Sequence, residues 1–296
     1  MVKTSWSTGS LFGRPCADVE RALPEREEVN CPICDISPRT FGVDYQGFRL
    51  ARCPSCELEF QSPRPTLKQL ATTVYGAVYH RPEQRVADSI QEGHYTRQIQ
   101  WFTQVLREDR RRVLDIGCGT GAFIRFAMQR GWSVDGTDIV ISDSASQTGV
   151  DLWEGQLPLI EFGANRYDVV RFNHVLEHTQ DPAAELRSAR AVLTEGGLLY
   201  ISVPNLAGLS VRLKSWQSRL HLKRRRWKHY SALHHLWFFT PQSLRQLVKE
   251  AGFELVHWET PVVSRPGQLG WVTTASRILL EYPRLGGILD LYARVS

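Results

Sequence analysis

The sequence lacks several features that define common protein classes. Its 296 residues contain no uninterrupted apolar run of the roughly 18 residues that a membrane-spanning helix needs. The first 13 residues show no signal-peptide hydrophobic region, so we expect a cytoplasmic protein. The net charge is only +5, from 36 basic and 31 acidic residues, which does not indicate a nucleic-acid partner. The 42% of residues that are hydrophobic favour a globular fold with a substantial core.

Cysteine is scarce, and four of the six cysteines form two closely spaced pairs. Cys31 and Cys34 form one Cys-x-x-Cys pair, and Cys53 and Cys56 form a second after 18 further residues. Disulfides are rare in a reducing compartment, whereas four thiolates at this spacing suit tetrahedral Zn²⁺. Four cysteine ligands leave no open coordination position for chemistry. We therefore predict a structural zinc ribbon over residues 31–62, with a redox dithiol pair or a catalytic metal as alternatives.

The segment VLDIGCGTGAF at 113–123 is the most informative motif, because a short apolar strand there passes through a glycine-rich turn into a helix. Glycine tolerates positive φ and lets the backbone approach a ligand closely. Asp115 at the turn would repel a pyrophosphate, so it favours a cationic or zwitterionic ligand such as the amino-acid part of S-adenosylmethionine. Asp138 ends the next predicted strand, where such folds bind ribose hydroxyls. A purely structural glycine turn in another α/β domain is the alternative.

Residues from about 95 to 260 resemble a class I S-adenosylmethionine-dependent methyltransferase. The resemblance rests on VLDIGCGTGAF, on GTD at 136–138, on YDVVRFNHVLEH at 167–178 and on LTEGGLLYISVPN at 193–205. It implies an α/β fold with a Rossmann-like, mostly parallel sheet and helices on both faces. The cysteine pairs and the following Pro-x-Pro resemble the N-terminal zinc segment of bacterial methyltransferases that act on small molecules, sugars or surface glycans.

The pattern of the chain predicts four regions. They are a flexible leader at 1–30, the zinc ribbon at 31–62, a helical connector and cofactor lid at 63–108, and the methyltransferase domain at 109–296 with a basic insertion at 206–230. Strands are predicted near 112–116, 132–137, 150–153, 167–172, 197–203 and 253–259, and helices near 121–130, 182–193 and 241–251. A methyltransferase sheet has a seventh strand between its fifth and sixth. The segments 269–275 and 289–295 are the candidates for it and both match poorly, so the sequence leaves the position of this strand open; without it, a sheet edge would be exposed.

The resemblance implies a set of S-adenosylmethionine-binding residues around the glycine turn and the ends of the next strands. They are Asp115, Gly117, Cys118, Gly119, Gly121, Asp138, Ile139, Gln156 and Asn173. In related enzymes the preceding helices cover the cofactor pocket, so Tyr75, Tyr79 and Tyr95 are candidate lid contacts, with ordinary aromatic packing as the alternative.

Histidines near the predicted acceptor side are the candidate catalytic residues. His174 is the preferred general base because histidine titrates near neutral pH. His234 and His235 are secondary candidates for the base or for acceptor contact. The matching segment of ubiquinone-biosynthesis O-methyltransferases reads Glu-Val-Leu-Glu-His, and its acids have been linked with a divalent ion. Because His174 replaces the first acid, we expect Glu177 and His178 to cap and orient the turn instead.

These features predict methyl transfer to an oxygen or carbon of a small-molecule, sugar or lipid-linked acceptor. Methyltransferases that act on amide or adenine nitrogen usually carry an Asn/Asp-Pro-Pro-aromatic element after the fourth strand. This chain has Asn-His-Val-Leu at that position, which disfavours methylation of such nitrogens. An RNA methyltransferase with a zinc ribbon and a non-catalytic S-adenosylmethionine-binding protein are the alternatives. Residues 207–228 predict a basic amphipathic helix that contacts either solvent as a lid, an anionic membrane or nucleic acid.

Overall fold

A small antiparallel ribbon precedes the main sheet in the computed structural model, which describes residues 11, 16–74, 84–262 and 274–296, without the side chains of 84–91. Its elements are α1 (Cys16–Ala22), β1 (Arg26–Glu27), β2 (Arg39–Val43), β3 (Arg49–Arg52), β4 (Glu59–Gln61) and β5 (Arg64–Pro65). Within the predicted leader, α1 forms and buries Val19, and Leu23 is buried after it. This ordered packing differs from the flexible leader that we predicted for this part of the chain.

In the described residues, two helices lie between the ribbon and the main sheet. They are α2 (Leu67–Thr73) and α3 (Gln84–Val105). The second helix buries His94, Tyr95, Gln98 and Phe102 along one side. The candidate lid residues Tyr75 and Tyr79 lie outside the described residues.

A seven-stranded sheet follows, and the described residues place five α-helices between its strands. The strands that follow the connector are β6 (Arg112–Ile116), β7 (Ser133–Asp138), β8 (Leu152–Glu154), β9 (Tyr167–Asn173), β10 (Leu193–Pro204), β11 (Trp237–Phe238), β12 (Phe253–Glu259) and β13 (Ile288–Val295). The helices are α4 (Ala122–Met128), α5 (Asp143–Ser146), α6 (Pro182–Val192), α7 (Leu209–Arg219) and α8 (Pro241–Glu250). The order in the sheet is β12-β13-β10-β9-β6-β7-β8, with β6 to β10 parallel. The predicted Rossmann-like fold is confirmed.

Helices cover both faces of this sheet because its central strands are apolar on both sides. On β10, Leu199 and Ile201 pack into one core with residues of α6 and α8. The alternate residues Leu198 and Tyr200 pack into a second core with α3 and α4. This alternation follows from the two-residue period of a strand.

The seventh strand, whose position the sequence left open, is β13, and it coincides with the candidate segment 289–295. It pairs antiparallel with β10 on one side and with β12 on the other. Leu289, Leu291 and Ala293 enter the α6–α8 core, whereas Asp290 and Tyr292 point to the opposite face. The polar residues between the apolar ones obscured this strand, because they are buried here rather than exposed. Of the other candidate, 269–273 lies outside the described residues.

The ribbon continues into the methyltransferase domain rather than standing apart. Strand β11 pairs with β4, so a second sheet has the order β11-β4-β3-β2. Three of the paired cysteines share one hydrophobic core with the main sheet. Across the residues that the structure describes, none of the helices has both the length and the apolar character to span a bilayer.

Candidate methyl-transfer site

A cavity of about 360 Å³ opens at the carboxyl ends of β6, β7 and β9, where open α/β sheets bind ligands. Eight of the nine predicted cofactor residues line it: Asp115, Gly117, Cys118, Gly119, Asp138, Ile139, Gln156 and Asn173. Gly121 lies outside the wall and caps the N-terminus of α4 in the left-handed conformation. His174, His234 and Tyr95 also line the cavity, but His235 does not.

The glycine turn has a shape that side chains would destroy. Gly117 has a φ of 67°, and a Cβ there would lie 2.4 Å from Val175 Cγ2. The backbone N–H of Gly119 donates to Asp138 Oδ2 at 2.8 Å. The turn therefore keeps its backbone close to the cavity and links directly to the carboxylate predicted to bind ribose hydroxyls.

Asp115 does not face the cavity as an isolated carboxylate, because Arg171 pairs with it. Arg171 Nη1 donates to Asp115 Oδ1 at 2.5 Å, and the two side chains are 3% and 1% exposed. Burial raises the pKa of Asp115, and the charge of Arg171 opposes that rise. Sequence reasoning missed Arg171, although a charged residue inside the apolar run YDVVRFN was a signal for it.

Arg171 contacts several side chains, but one of its nitrogens has no hydrogen-bond partner. Its guanidinium lies 3.8 Å from the ring centroid of Phe123, and its Nε donates to Gln98 Oε1 at 2.8 Å. Its Nη2 is buried and makes no hydrogen bond. An unpaired buried donor is costly unless a ligand satisfies it. A carboxylate beside an ammonium group, as in the amino-acid part of S-adenosylmethionine, fits the Arg171–Asp115 pair.

The opposite end of the cavity is formed by residues after β7 and β8 and by α6. Ile139, Gln156 and Leu157 lie there, next to Glu185 of α6. Burial raises the pKa of Glu185 to about 8, and its Oε2 has no hydrogen-bond partner. This carboxyl group therefore stays largely uncharged at neutral pH and can both donate and accept a hydrogen bond.

His174 follows β9 directly and has an unusual backbone conformation. Its φ is 56°, in the left-handed region, and its N–H donates to Ser202 O at 2.8 Å. Its Nδ1 lies 3.5 Å from Glu177 Oε1. Desolvation lowers the pKa of His174, but hydrogen bonding and charge attraction from Glu177 more than offset it, so the pKa lies above the ordinary value. The pair resembles a base with an orienting carboxylate.

The other candidate histidines are weaker bases. Desolvation and the neighbouring His178 lower the pKa of His234 to about 3. Burial likewise holds the pKa of His235 well below its usual value. A general base works best with a pKa near the operating pH, so the arrangement favours His174 over both.

Two groups of side chains in the described residues could hold a metal ion. Glu177, His178 and His235 each place one ligand atom within 4.8 Å of the others. His178 Nδ1 donates to His234 O at 2.8 Å, which orients the ring; the role of His178 in the turn stays a prediction.

The second group is the predicted set of four cysteines, which the fold brings together. Cys31, Cys34, Cys53 and Cys56 place their sulfur atoms within 4.8 Å of one another. Tetrahedral Zn–S bonds of about 2.3 Å would separate the sulfurs by about 3.8 Å. The two knuckles also share one backbone pattern, since Asp35 and Glu57, each directly after a second cysteine, have φ of 52° and 61°. The donor set and spacing fit Zn²⁺.

Comparisons with known proteins agree with this geometry. A family model described as "Methyltransferase domain" matches residues 88–258. The ubiquinone biosynthesis O-methyltransferase of Aeromonas salmonicida is 36% identical over 104 residues, which are 32% of this chain and 44% of that protein. The enzyme of the same name from Cereibacter sphaeroides strain KD131 is 29% identical over 185 residues, which are 58% of this chain and 71% of that one.

A solved structure shows the same fold at low sequence identity. It is the Haloferax volcanii complex of the Trm112 methyltransferase activator with a methyltransferase, matched at a TM-score of 0.52 and 16% identity over 74% of this chain and 96% of that one. The family match covers more than half of the sequence and includes the glycine turn, Asp138 and His174. The chain belongs to the methyltransferase-domain family and is a class I S-adenosylmethionine-dependent methyltransferase.

Proposed function

We propose that the protein transfers a methyl group to a hydroxyl oxygen of a small-molecule acceptor, with His174 as the general base. The observation that carries this proposal is the His174–Glu177 pair at the wall of the cofactor cavity. The relatives that bear the name ubiquinone biosynthesis O-methyltransferase support oxygen as the acceptor atom.

The choice of His174 as the base limits how high the pKa of the acceptor hydroxyl can be. A phenol has a pKa of about 10, close enough to that of a histidine for proton transfer, whereas an alkyl alcohol is far less acidic. We therefore favour a phenolic or enolic hydroxyl over a sugar hydroxyl. His174 removes the hydroxyl proton, and Glu177 stabilises the resulting imidazolium.

Four residues are placed to hold S-adenosylmethionine, which supplies an electrophilic methyl group when bound. Asp115 and Arg171 suit the ammonium and carboxylate of its amino-acid part. Asp138 suits the ribose hydroxyls, and Gln156 suits the adenine edge. The cavity orients the acceptor and excludes water, so that oxygen, methyl carbon and sulfur can align.

Purified protein with radiolabelled S-adenosylmethionine tests the proposal. Catechol is the phenolic probe, and lysate fractions of sugars, lipids and RNA are the competitors. We expect label on the oxygen of catechol and its loss in His174→Gln. Label on RNA alone would favour an RNA methyltransferase, label on carbon would favour C-methylation, and cofactor binding with no transfer to any fraction would favour a non-catalytic binding protein.

We propose further that the four cysteines hold one structural Zn²⁺. Burial raises the pKa of Cys31 to about 11, so this thiol is poorly suited to stay charged without a cation. A bound metal deprotonates coordinating thiols. Metal analysis of protein purified without chelator tests this, and an amount near one zinc per chain is expected.

Contact with an anionic membrane is our proposal for the basic insertion, and it places the acceptor among lipid-linked or lipid-dissolved molecules. Leu209, Leu213 and Trp216 of helix α7, together with Leu220 directly after it, are about half exposed. The sequence has no Asp or Glu between Glu195 and Glu250. Apolar exposure beside cations suits a lipid surface better than nucleic acid, because aliphatic side chains gain little from phosphates.

Vesicle flotation separates the membrane proposal from a soluble lid. Wild-type protein should float with phosphatidylglycerol vesicles at low salt and lose that binding as salt rises. Changing Arg224, Arg225 and Arg226 to Ser should abolish flotation without changing cofactor affinity. Wild-type protein that stays with the soluble fraction would contradict the contact and leave α7 as a lid in a cytoplasmic enzyme.

A further inference from the structure

Strand β4 of the ribbon pairs with the end of the segment that carries His234 and His235. Strand β4 pairs with β11, with Phe60 opposite Trp237. The backbone N–H of Gln61 extends this pairing by donating to Leu236 O at 2.9 Å. The ring centroids of Phe60 and Trp237 lie 5.2 Å apart. The ribbon sheet therefore extends to β11, directly after the segment that carries His234 and His235.

The side chain of Gln61 strengthens this connection at the histidines themselves. It is fully buried, and its Nε2 donates to Ala232 O and, at 2.8 Å, to His235 O. One amide group therefore ties down both ends of the turn that contains His234. A buried carbonyl at Ala232 and a partly buried one at His235 would lose their donor if this amide were removed, and unpaired buried acceptors are costly.

The far side of the same segment is bonded to the turn that supports the proposed base. His234 O accepts from His178 Nδ1 at 2.8 Å, and Leu236 N–H donates to Glu177 O at 2.8 Å. Trp237 Nε1 donates to Thr179 O at 2.6 Å. Glu177 in turn faces His174. A chain of direct contacts thus runs from Gln61 to the base.

We propose that Gln61 is a positioning residue for methyl transfer, which fixes the 232–237 segment and through it the Glu177–His174 pair. The inference rests on the proposed function, because it assigns His174 as the base. It gives the ribbon a role at the acceptor end of the cavity and none at the cofactor end. No hydrogen bond of Gln61 reaches the glycine turn or Asp138 among the described contacts.

Two matched variants separate positioning from general stability. Gln61→Met keeps the length of the side chain but removes its donors. Gln46→Met makes the same change at another buried ribbon glutamine, whose Nε2 donates to Leu11 O at 3.1 Å. Gln61→Asn keeps an amide of shorter reach, and it carries the test if Gln61→Met fails to fold.

Three measurements on the full chain compare the variants: calorimetric affinity for S-adenosylhomocysteine, kcat and KM with catechol, and backbone hydrogen exchange by mass spectrometry. For Gln61→Met we expect unchanged affinity within about twofold, a fall in kcat of about tenfold or more, and faster exchange in 176–179 and 232–237. Gln46→Met should leave kcat and those peptides unchanged. Gln61→Asn should give intermediate values.

Equal effects of Gln61→Met and Gln46→Met on kcat and exchange would overturn the proposal, as would faster exchange confined to 39–61. If wild-type protein does not methylate catechol, the acceptor assignment fails separately, and the exchange of 176–179 decides the role of Gln61. Unchanged exchange there refutes it.

Discussion

Replacing Arg171 with Leu should both destabilise the protein and weaken cofactor binding. The substitution leaves Asp115, which is 1% exposed, without its buried cation. Breaking a buried ion pair by removing one partner costs about 3–5 kcal/mol. For a chain of this size we expect the melting temperature to fall by about 10 °C. Without Nη2 of Arg171, the amino-acid carboxylate of the cofactor also loses a charge-assisted bond of about 1.5–3 kcal/mol, or at least tenfold in affinity.

Two measurements on three variants, Arg171→Leu, Asp115→Asn and the combination of both, test this reasoning. Thermal unfolding followed by circular dichroism gives stability, and calorimetry gives the affinity for S-adenosylhomocysteine. Asp115→Asn combined with Arg171→Leu should recover much of the lost stability, because no unpaired charge remains. It should not recover the affinity. A double-mutant cycle measures the coupling between the two side chains.

The loss of stability in Arg171→Leu should depend on pH in a definite direction. Burial raises the pKa of Asp115, and without Arg171 nothing opposes that rise. A raised carboxyl pKa penalises the folded state at high pH, and the penalty disappears as pH falls and the group is protonated in both states. The stability deficit of Arg171→Leu should therefore shrink toward pH 4. A deficit that is constant with pH, or a variant with wild-type stability and affinity, would refute the assigned pair.

Further substitutions test the other parts of the site and the ribbon. Asp138→Ala should weaken S-adenosylhomocysteine binding about tenfold or more by calorimetry, because it removes a charge-assisted hydrogen bond to ribose, and wild-type affinity would contradict that role. His174→Gln should lower kcat by about 10²–10⁴, because it removes the general base. Glu177→Gln should move the acidic limb of the pH–rate profile to lower pH, because Glu177 raises the pKa of His174 and this base acts in its unprotonated form. An acidic limb that does not move would argue against the His174–Glu177 pair. Cys31→Ser or Cys56→Ser should release zinc and loosen the ribbon in hydrogen exchange while cofactor binding stays measurable; a chain purified without chelator that contains no zinc would exclude the ribbon metal.

The sheet and the cofactor end of the site were predictable because their signals are local. The strand β9 and the turn before α4 each combine an apolar run with a glycine or polar stop, and both lie within a residue or two of the predicted bounds. The glycine turn and Asp138 follow from spacing alone. Their roles in binding stay predictions until the variants are measured.

The features that sequence reasoning missed depend on contacts between distant segments. Arg171 matters because Asp115, 56 residues earlier, lies beside it. Strand β13 was hard to recognise because it contains the charged residue Asp290 among apolar ones. Asp290 is buried through hydrogen bonds to His94 and Tyr200, which are distant in sequence. The pairing of β4 with β11 joins residues about 180 positions apart. No periodicity within one segment reports such contacts.

The position of β13 has a consequence for synthesis on the ribosome. This strand occupies the gap between β10 and β12, yet residues 288–295 are translated after both. Its Asp290 also binds His94 of α3 at 2.6 Å, so the helix beside the cavity gains a buried contact only when this strand arrives. Until residues 288–295 have been made, β10 therefore has a partner only on its β9 side and β12 lacks the partner that it has in the finished sheet. During that interval the exposed strand edges are open to chaperones or to misassembly with other chains.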